Sequence, residues 1–198
     1  MGKLFSVLLM LGTVYLFSCA PLHKKTCERT FLSIVKNSHN EKEVNKIRGS
    51  IYIKGILLLF NASLKDSTQI DLFTPIGTKV ARFYEDSENV CIEVKNRKIC
   101  GKAPKMYREA LSEEIPFSLT DIILGRFDIS PESKYICQGN AITINDNEKT
   151  YIFEKGFLKK ISYKDFSLEY EYKDGKPEKV ILKADGTTLA KIFIRDLE

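Results

Sequence analysis

Phe166-Ser167-Leu168-Glu169-Tyr170-Glu171-Tyr172 decides the fold class of this chain. Apolar and polar side chains alternate through it, which is the period of a strand and not of a helix. Alternation means one face buried and one wet, the mark of an antiparallel sheet covered on one side. Downstream, Asp174-Gly175 and Asp185-Gly186 are turn signals between further strands. Upstream, the same period starts after Gly49 and runs through Ile51-Tyr52-Ile53, Ile56 to Phe60, Thr68 to Phe73 and Thr78 to Glu85. A hairpin from Val90 to Cys100 follows. The spacing predicts a mainly β chain of about eleven strands in one large curved sheet or barrel.

Two stretches break the strand period. Cys27 to Ile47 carries Phe31, Ile34, Val35, Val44 and Ile47 near helical spacing. It predicts an N-terminal helix, weakened at Ser38-His39-Asn40. Pro104 to Glu114 can hold its Pro in a first helical turn and has Met106, Ala110 and Leu111 on one side. Ile115-Pro116-Phe117 interrupts it. Ser118 then stands as N-cap to Leu119-Thr120-Asp121-Ile122-Ile123-Leu124, and Gly125 stops that short helix. Two readings stay open. The segment is a core helix plugging one end of a barrel, or it is a lid in which Ile115, Pro116, Phe117, Leu119, Ile122, Ile123 and Leu124 cover an apolar cavity.

The chain opens with Met1-Gly2-Lys3 and an almost wholly apolar run from Leu4 to Phe17. These 14 residues fall short of the roughly 20 that a membrane-spanning helix needs. Length and flanks fit a secretory signal over residues 1–18. Leu16-Phe17-Ser18-Cys19 resembles the bacterial lipobox, in which a small residue precedes a Cys that is lipidated and becomes the mature N-terminus. An ordinary secretory signal is the alternative. On the lipobox reading Cys19 is the lipidation site, residues 19–26 are a membrane tether, and 27–198 form one folded domain. By resemblance to enterobacterial lipoproteins, Ala20 implies the outer membrane.

Among 198 residues, 31 Lys+Arg and 26 Asp+Glu give a net charge of +5. The signs are mixed along the chain, which argues against nucleic-acid binding, where cations cluster on one face. His23 and His39 are the only histidines, and neither order nor spacing suggests a Ser–His–Asp arrangement. Glu113-Glu114 are adjacent, and adjacent helical residues point in different directions. The expectation is a monomeric binding protein with no catalytic residues, no metal and no cofactor.

Four cysteines remain after Cys19, and in an oxidising compartment four Cys allow three pairings. A hairpin turning at Lys95-Asn96 opposes Cys91 to Cys100, Ile92 to Ile99 and Glu93 to Lys98. Those are favourable cross-strand pairs. Turning one residue later would oppose Lys95 to Lys98. The register therefore favours Cys91–Cys100 and leaves Cys27 and Cys137 for a second bridge, with four buried thiols as the alternative.

Two stretches carry a family resemblance. Asp71-Leu72-Phe73-Thr74-Pro75-Ile76-Gly77-Thr78 resembles the strand–Pro-apolar-Gly–strand turn of the LolB family. Ile115 to Arg126 resembles that family's Ile-Pro-apolar segment and short helix ending in Leu-Gly. The resemblance implies an incomplete, half-open antiparallel β-barrel with short helices over the open side. It implies an outer-membrane receptor, lipid-anchored at Cys19 and facing the periplasm. Such a receptor takes the acyl chains of lipoproteins from a soluble LolA-like carrier and inserts them into the outer membrane. It also implies that Ile76, between Pro75 and Gly77, projects toward the membrane; folding back onto the core is the alternative.

Strand alternation nominates Ile70, Leu72, Phe166, Leu168 and Tyr170 as cavity lining, and each could equally be core. Three other roles remain: a different acyl or lipid carrier, an envelope-stress sensor, or a structural lipoprotein with a filled barrel. An apolar cavity beneath residues 115–125 would favour carriage, and a packed interior the structural role.

Overall fold

The computed structural model describes residues 20–38, 44–64, 67–85, 89–95, 97–102, 105–106 and 117–198. The expected signal peptide, Cys19, Ile115 and Pro116 lie outside these residues. So does the helix expected over Pro104–Glu114, apart from Lys105 and Met106.

Helix α1 spans Ala20–Ser38. Six strands follow: β1 (Lys46–Ile53), β2 (Ile56–Ser63), β3 (Thr68–Phe73), β4 (Lys79–Glu85), β5 (Asn89–Val94) and β6 (Arg97–Lys102). After helix α2 (Leu119–Leu124) come seven more: β7 (Lys134–Gln138), β8 (Ala141–Asp146), β9 (Lys149–Glu154), β10 (Phe157–Tyr163), β11 (Phe166–Lys173), β12 (Lys176–Ala184) and β13 (Thr187–Leu197). Among the described residues all thirteen form one antiparallel sheet in the order β6-β5-β4-β3-β2-β1-β13-β12-β11-β10-β9-β8-β7.

This order has a consequence for the ends of the chain. Each half is a meander, and the first and last strands meet in the middle of the sheet. The edges are β6 and β7, which do not pair with each other, so the barrel is half-open. The chain between them must pass from edge to edge, and it carries α2.

The curvature follows from α2 itself. Thr120 is 2.9 Å from Thr68 of β3 through their hydroxyls, while the carbonyl of Ile122 accepts from Tyr170 of β11 at 3.0 Å. Four strands separate β3 from β11. On a flat sheet the two would lie roughly 24 Å apart. Two residues of helix span about 3 Å. The sheet must wrap around α2 for both bonds to form.

The alternation in β11 works as its pattern predicts. Phe166, Leu168 and Tyr170 are buried on the concave side, and Glu169 and Glu171 face out, where they meet Lys183 and Lys179 of β12 at 2.7 Å each. The same concave face continues through Val180 and Leu182 of β12 and Ile192 and Ile194 of β13.

Two expectations are corrected. The strand count is thirteen, not about eleven. Turns such as Asn147-Glu148 and Lys164-Asp165 carry no glycine, yet their first residues take φ of 53° and 51°. The helix expected from Cys27 to Ile47 ends at Ser38, and it begins at Ala20, inside the expected tether. Ile47 belongs to β1, because its neighbours bond to the far end of the chain: the amides of Asn45 and Lys46 both donate to the Glu198 carbonyl. That pairing is invisible to local periodicity.

Gly49 is not a break before the sheet but part of it, at a bulge where β1 meets β13. A Cβ there would lie 2.1 Å from the Phe193 carbonyl oxygen and 2.6 Å from the Phe60 ring. Gly49→Ala is therefore expected to lose about 3 kcal/mol, seen as a lower urea midpoint with an unchanged slope.

Candidate functional site

Helix α2 has clear local causes. Ser118 Oγ accepts from the Asp121 amide, and Gly125 ends the helix in the left-handed region at φ 64°. With the Arg126 amide turned to the Asp121 carbonyl, the Ile122 carbonyl of the last turn needs another donor. Tyr170 Oη supplies it at 3.0 Å in a buried position. Tyr170→Phe is expected to leave that carbonyl unsatisfied and cost about 1–2 kcal/mol, measurable by denaturant titration.

Burial raises the Tyr170 phenol well above its ordinary value, with the nearby Tyr172 and Asp121 adding to it. Burial also pushes Tyr172 up to about 12 and raises Tyr151. A raised folded value means the stabilising contribution is whole below the unfolded value of about 10 and is lost as pH climbs past it. The fold should therefore weaken from about pH 10 toward 12, with phenolate absorbance of these residues appearing only as it opens. Asp121 is likewise raised by burial, against the Ser118 hydrogen bond and the charges of Arg126 and Lys149.

The concave apolar face divides into two parts. Beneath α2 it is packed: Ile122 and Ile123 are buried, and Phe117 meets Phe127 edge-on at 5.0 Å and Phe166 at 6.3 Å. The five residues nominated as lining, Ile70, Leu72, Phe166, Leu168 and Tyr170, are all buried in this core.

Toward the rim formed by the β1–β2, β3–β4 and β5–β6 turns, the same face opens. Leu58, Ala81, Phe83 and Ile92 are half-buried against the core. Ile56 and Ile99, on the same face by register, are 59% and 58% exposed. An apolar trough thus leads from the packed interior to that rim.

At its end stands the β3–β4 turn. The Gly77 amide donates to the Thr74 carbonyl at 2.9 Å, and the Thr74 amide donates to the Thr78 carbonyl at 2.8 Å. Thr74 Oγ1 also accepts from the Thr78 amide. With φ 87° at Gly77 the turn is closed on itself, and Ile76 is left 90% exposed at its tip. The side chain of Ile76 therefore adds nothing to the core.

A second recess lies at the other rim. It is a groove of about 610 Å³ between the ends of α1 and α2, lined by Ile34, Leu124, Phe127, Phe153, Phe157 and Tyr172. Arg126 and Lys176 stand beside it. Helix α1 is held over the β7 edge by the Cys27–Cys137 disulfide and by Phe31 stacked on Tyr135 at 4.2 Å. The other disulfide joins Cys91 to Cys100 in the β5–β6 hairpin, where Ile92 faces Ile99 and Glu93 faces Lys98. No group of three or more His, Cys, Asp or Glu side chains among the described residues could hold a metal.

No family model and no curated protein sequence matches the chain. Solved structures do. A LolA superfamily protein from Nitrosomonas europaea superposes over 86% of this chain and 92% of its own, with a TM-score of 0.51 at 8% identity. The fold is LolA-like. A DUF1329 family protein from Desulfovibrio piger (TM-score 0.48, 13% identity, 88% and 92% covered) and LprF from Mycobacterium bovis (0.32, 8%, 87% and 93%) are more distant in shape.

Within this LolA-like fold, the residues singled out from sequence separate by place. Phe117, Ile122 and Ile123 are buried beneath or within the α2 segment, with Leu119 and Leu124 half-buried at its margins. Pro75, Ile76 and Gly77 form the exposed turn. What sequence reasoning missed is the trough: Ile56, Ala81, Phe83 and Ile99 come together only through strand pairing. Their alternation was visible, but alternation does not say which stretch of a face a helix covers.

Proposed function

We propose that this chain is an outer-membrane lipoprotein, anchored through Cys19, that accepts lipoprotein acyl chains from a soluble LolA-like carrier and hands them to the membrane. The observation that carries the reading is the apolar face that leaves the packed core, opens as a trough and ends at the rim bearing Ile76. An acyl chain in water is disfavoured by about 0.8 kcal/mol per CH₂. A receptor therefore needs a dry path with one end on the membrane, and the trough has that form. Helix α2, six residues long and capped by Ser118 and Gly125, lies at the inner end of that path. No step makes or breaks a bond, so we assign no catalytic residue and no cofactor.

One observation favours a second reading. The interior directly beneath α2 is packed, which suits a structural lipoprotein with a filled barrel. Passing a purified lipoprotein from a carrier complex to this protein, and then to liposomes, separates the readings. Acceptance followed by release is the expected result. Acceptance without release would point to a sensor, and no acceptance would leave the structural role.

A further inference from the structure

We propose that Lys54, Lys95 and Arg97, flanking the Ile76 turn, make this rim select phospholipid bilayers that carry anionic headgroups. The inference deepens the reading above by naming the chemistry of the receiving surface, and rests on it only for the identity of the cargo. Strand pairing sets Lys54, the Pro75-Ile76-Gly77 turn, Lys95 and Arg97 at one end of β1 to β6. The exposed apolar side chains there include Ile56 (59%), Leu57 (44%), Ile76 (90%) and Val94 (46%). Ile76 is the most exposed of the four.

Cations surround this tip. Lys54, Lys95 and Arg97 are exposed, and among the described residues none of them pairs with a carboxylate. Lys54 and Lys95 occupy turn positions at φ 48° and 54°, which places them at the extreme end of their hairpins. Lys79 also lies at this rim but is held by Asp71 at 2.7 Å. No acidic residue is present in the described parts of these three turns. Along the same rim, the turns of β8 to β13 carry mixed signs: Glu148, Lys164, Asp165 and Asp185, with Lys164 facing Glu148 at 3.7 Å.

The excess positive charge is therefore confined to the half that carries the exposed apolar tip. That combination is how a surface binds a bilayer interface: apolar groups enter the acyl boundary while Lys and Arg meet anionic headgroups. Docking on the β1–β6 side also tilts the open trough toward the bilayer, which shortens the path of an acyl chain between the two.

The test uses residues 20–198, which hold all thirteen described strands, helices α1 and α2 and both disulfides, so that no acyl anchor contributes. Flotation is measured with phosphatidylcholine vesicles, with and without phosphatidylglycerol. The expected result is about 10- to 100-fold tighter association with the anionic vesicles, lost at high salt. The triple variant K54E/K95E/R97E should lose that preference. The variant K36E/K102E/K173E, with the same change in net charge away from this rim, should keep it. Equal association with both vesicle types would overturn the inference, as would equal loss in both triple variants. Binding of a fluorescent acyl probe is followed in parallel. Probe binding without anionic preference sinks the docking surface alone. Anionic preference without probe binding supports the docking surface and sinks the carrier reading.

Discussion

Replacing Ile76 by Glu is expected to leave folding and acyl binding unchanged and to abolish delivery to liposomes. The side chain is 90% exposed, so its removal takes nothing from the core. The turn that holds it is closed by Thr74, Gly77 and Thr78, none of which is altered. Entry of one Ile into an apolar phase is worth about 1.5–3 kcal/mol, and a carboxylate at that position opposes entry. At about 1.4 kcal/mol per factor of ten, delivery should slow by at least 10- to 100-fold. Ile76→Leu keeps the apolar tip and should deliver normally. Unaltered delivery by the Glu variant, with folding intact, would remove the membrane role from this turn. The same magnitude shows why the tip cannot anchor the protein unaided, and why the proposed lipid on Cys19 is part of the reading.

The largest expected effect on stability comes from the disulfide between Cys27 and Cys137. It closes a sequence separation of 110 residues, against 9 for Cys91–Cys100. Chain-entropy reasoning gives about 4–5 kcal/mol for the first and about 2–3 kcal/mol for the second. The Cys27→Ser/Cys137→Ser variant should therefore unfold at a clearly lower denaturant concentration than Cys91→Ser/Cys100→Ser. It should also loosen α1, whose remaining hold on β7 includes the stack of Phe31 on Tyr135. Amide exchange in residues 27–38 would then rise while the β11–β13 strands stay protected. Equal loss from the two variants would show that α1 is held by packing and not by the bridge.

Much of this fold could be read directly because its contacts are local. Every sheet neighbour except the β1–β13 pair joins strands consecutive in the chain, so turn chemistry and period-two alternation reach most of the architecture. The Cys91–Cys100 register followed from cross-strand charge and size alone. Ser118 and Gly125 marked both ends of α2 because caps are made of adjacent residues. The extent of α1 and the start of β1 were misjudged at the one place where the sheet depends on distant pairing, at Asn45 and Lys46 with Glu198. Glycine-free turns hid strand boundaries, since Asn147 and Lys164 take positive φ without the residue that usually announces it.

Alternation, caps and the Pro75-Ile76-Gly77 turn thus belong to the sequence: each arises from residues within a few positions of one another, where backbone sterics and side-chain period decide. The division of the concave face belongs to the tertiary structure. Whether Leu168 or Phe83 ends up sealed or open depends on where a helix bridging β3 and β11 comes to rest, and that is fixed by Thr68 and Tyr170, far from each other in the chain. The same is true of the rim. Lys54, Ile76 and Arg97 are unremarkable as letters, and become one surface only when antiparallel pairing turns three hairpins to the same end.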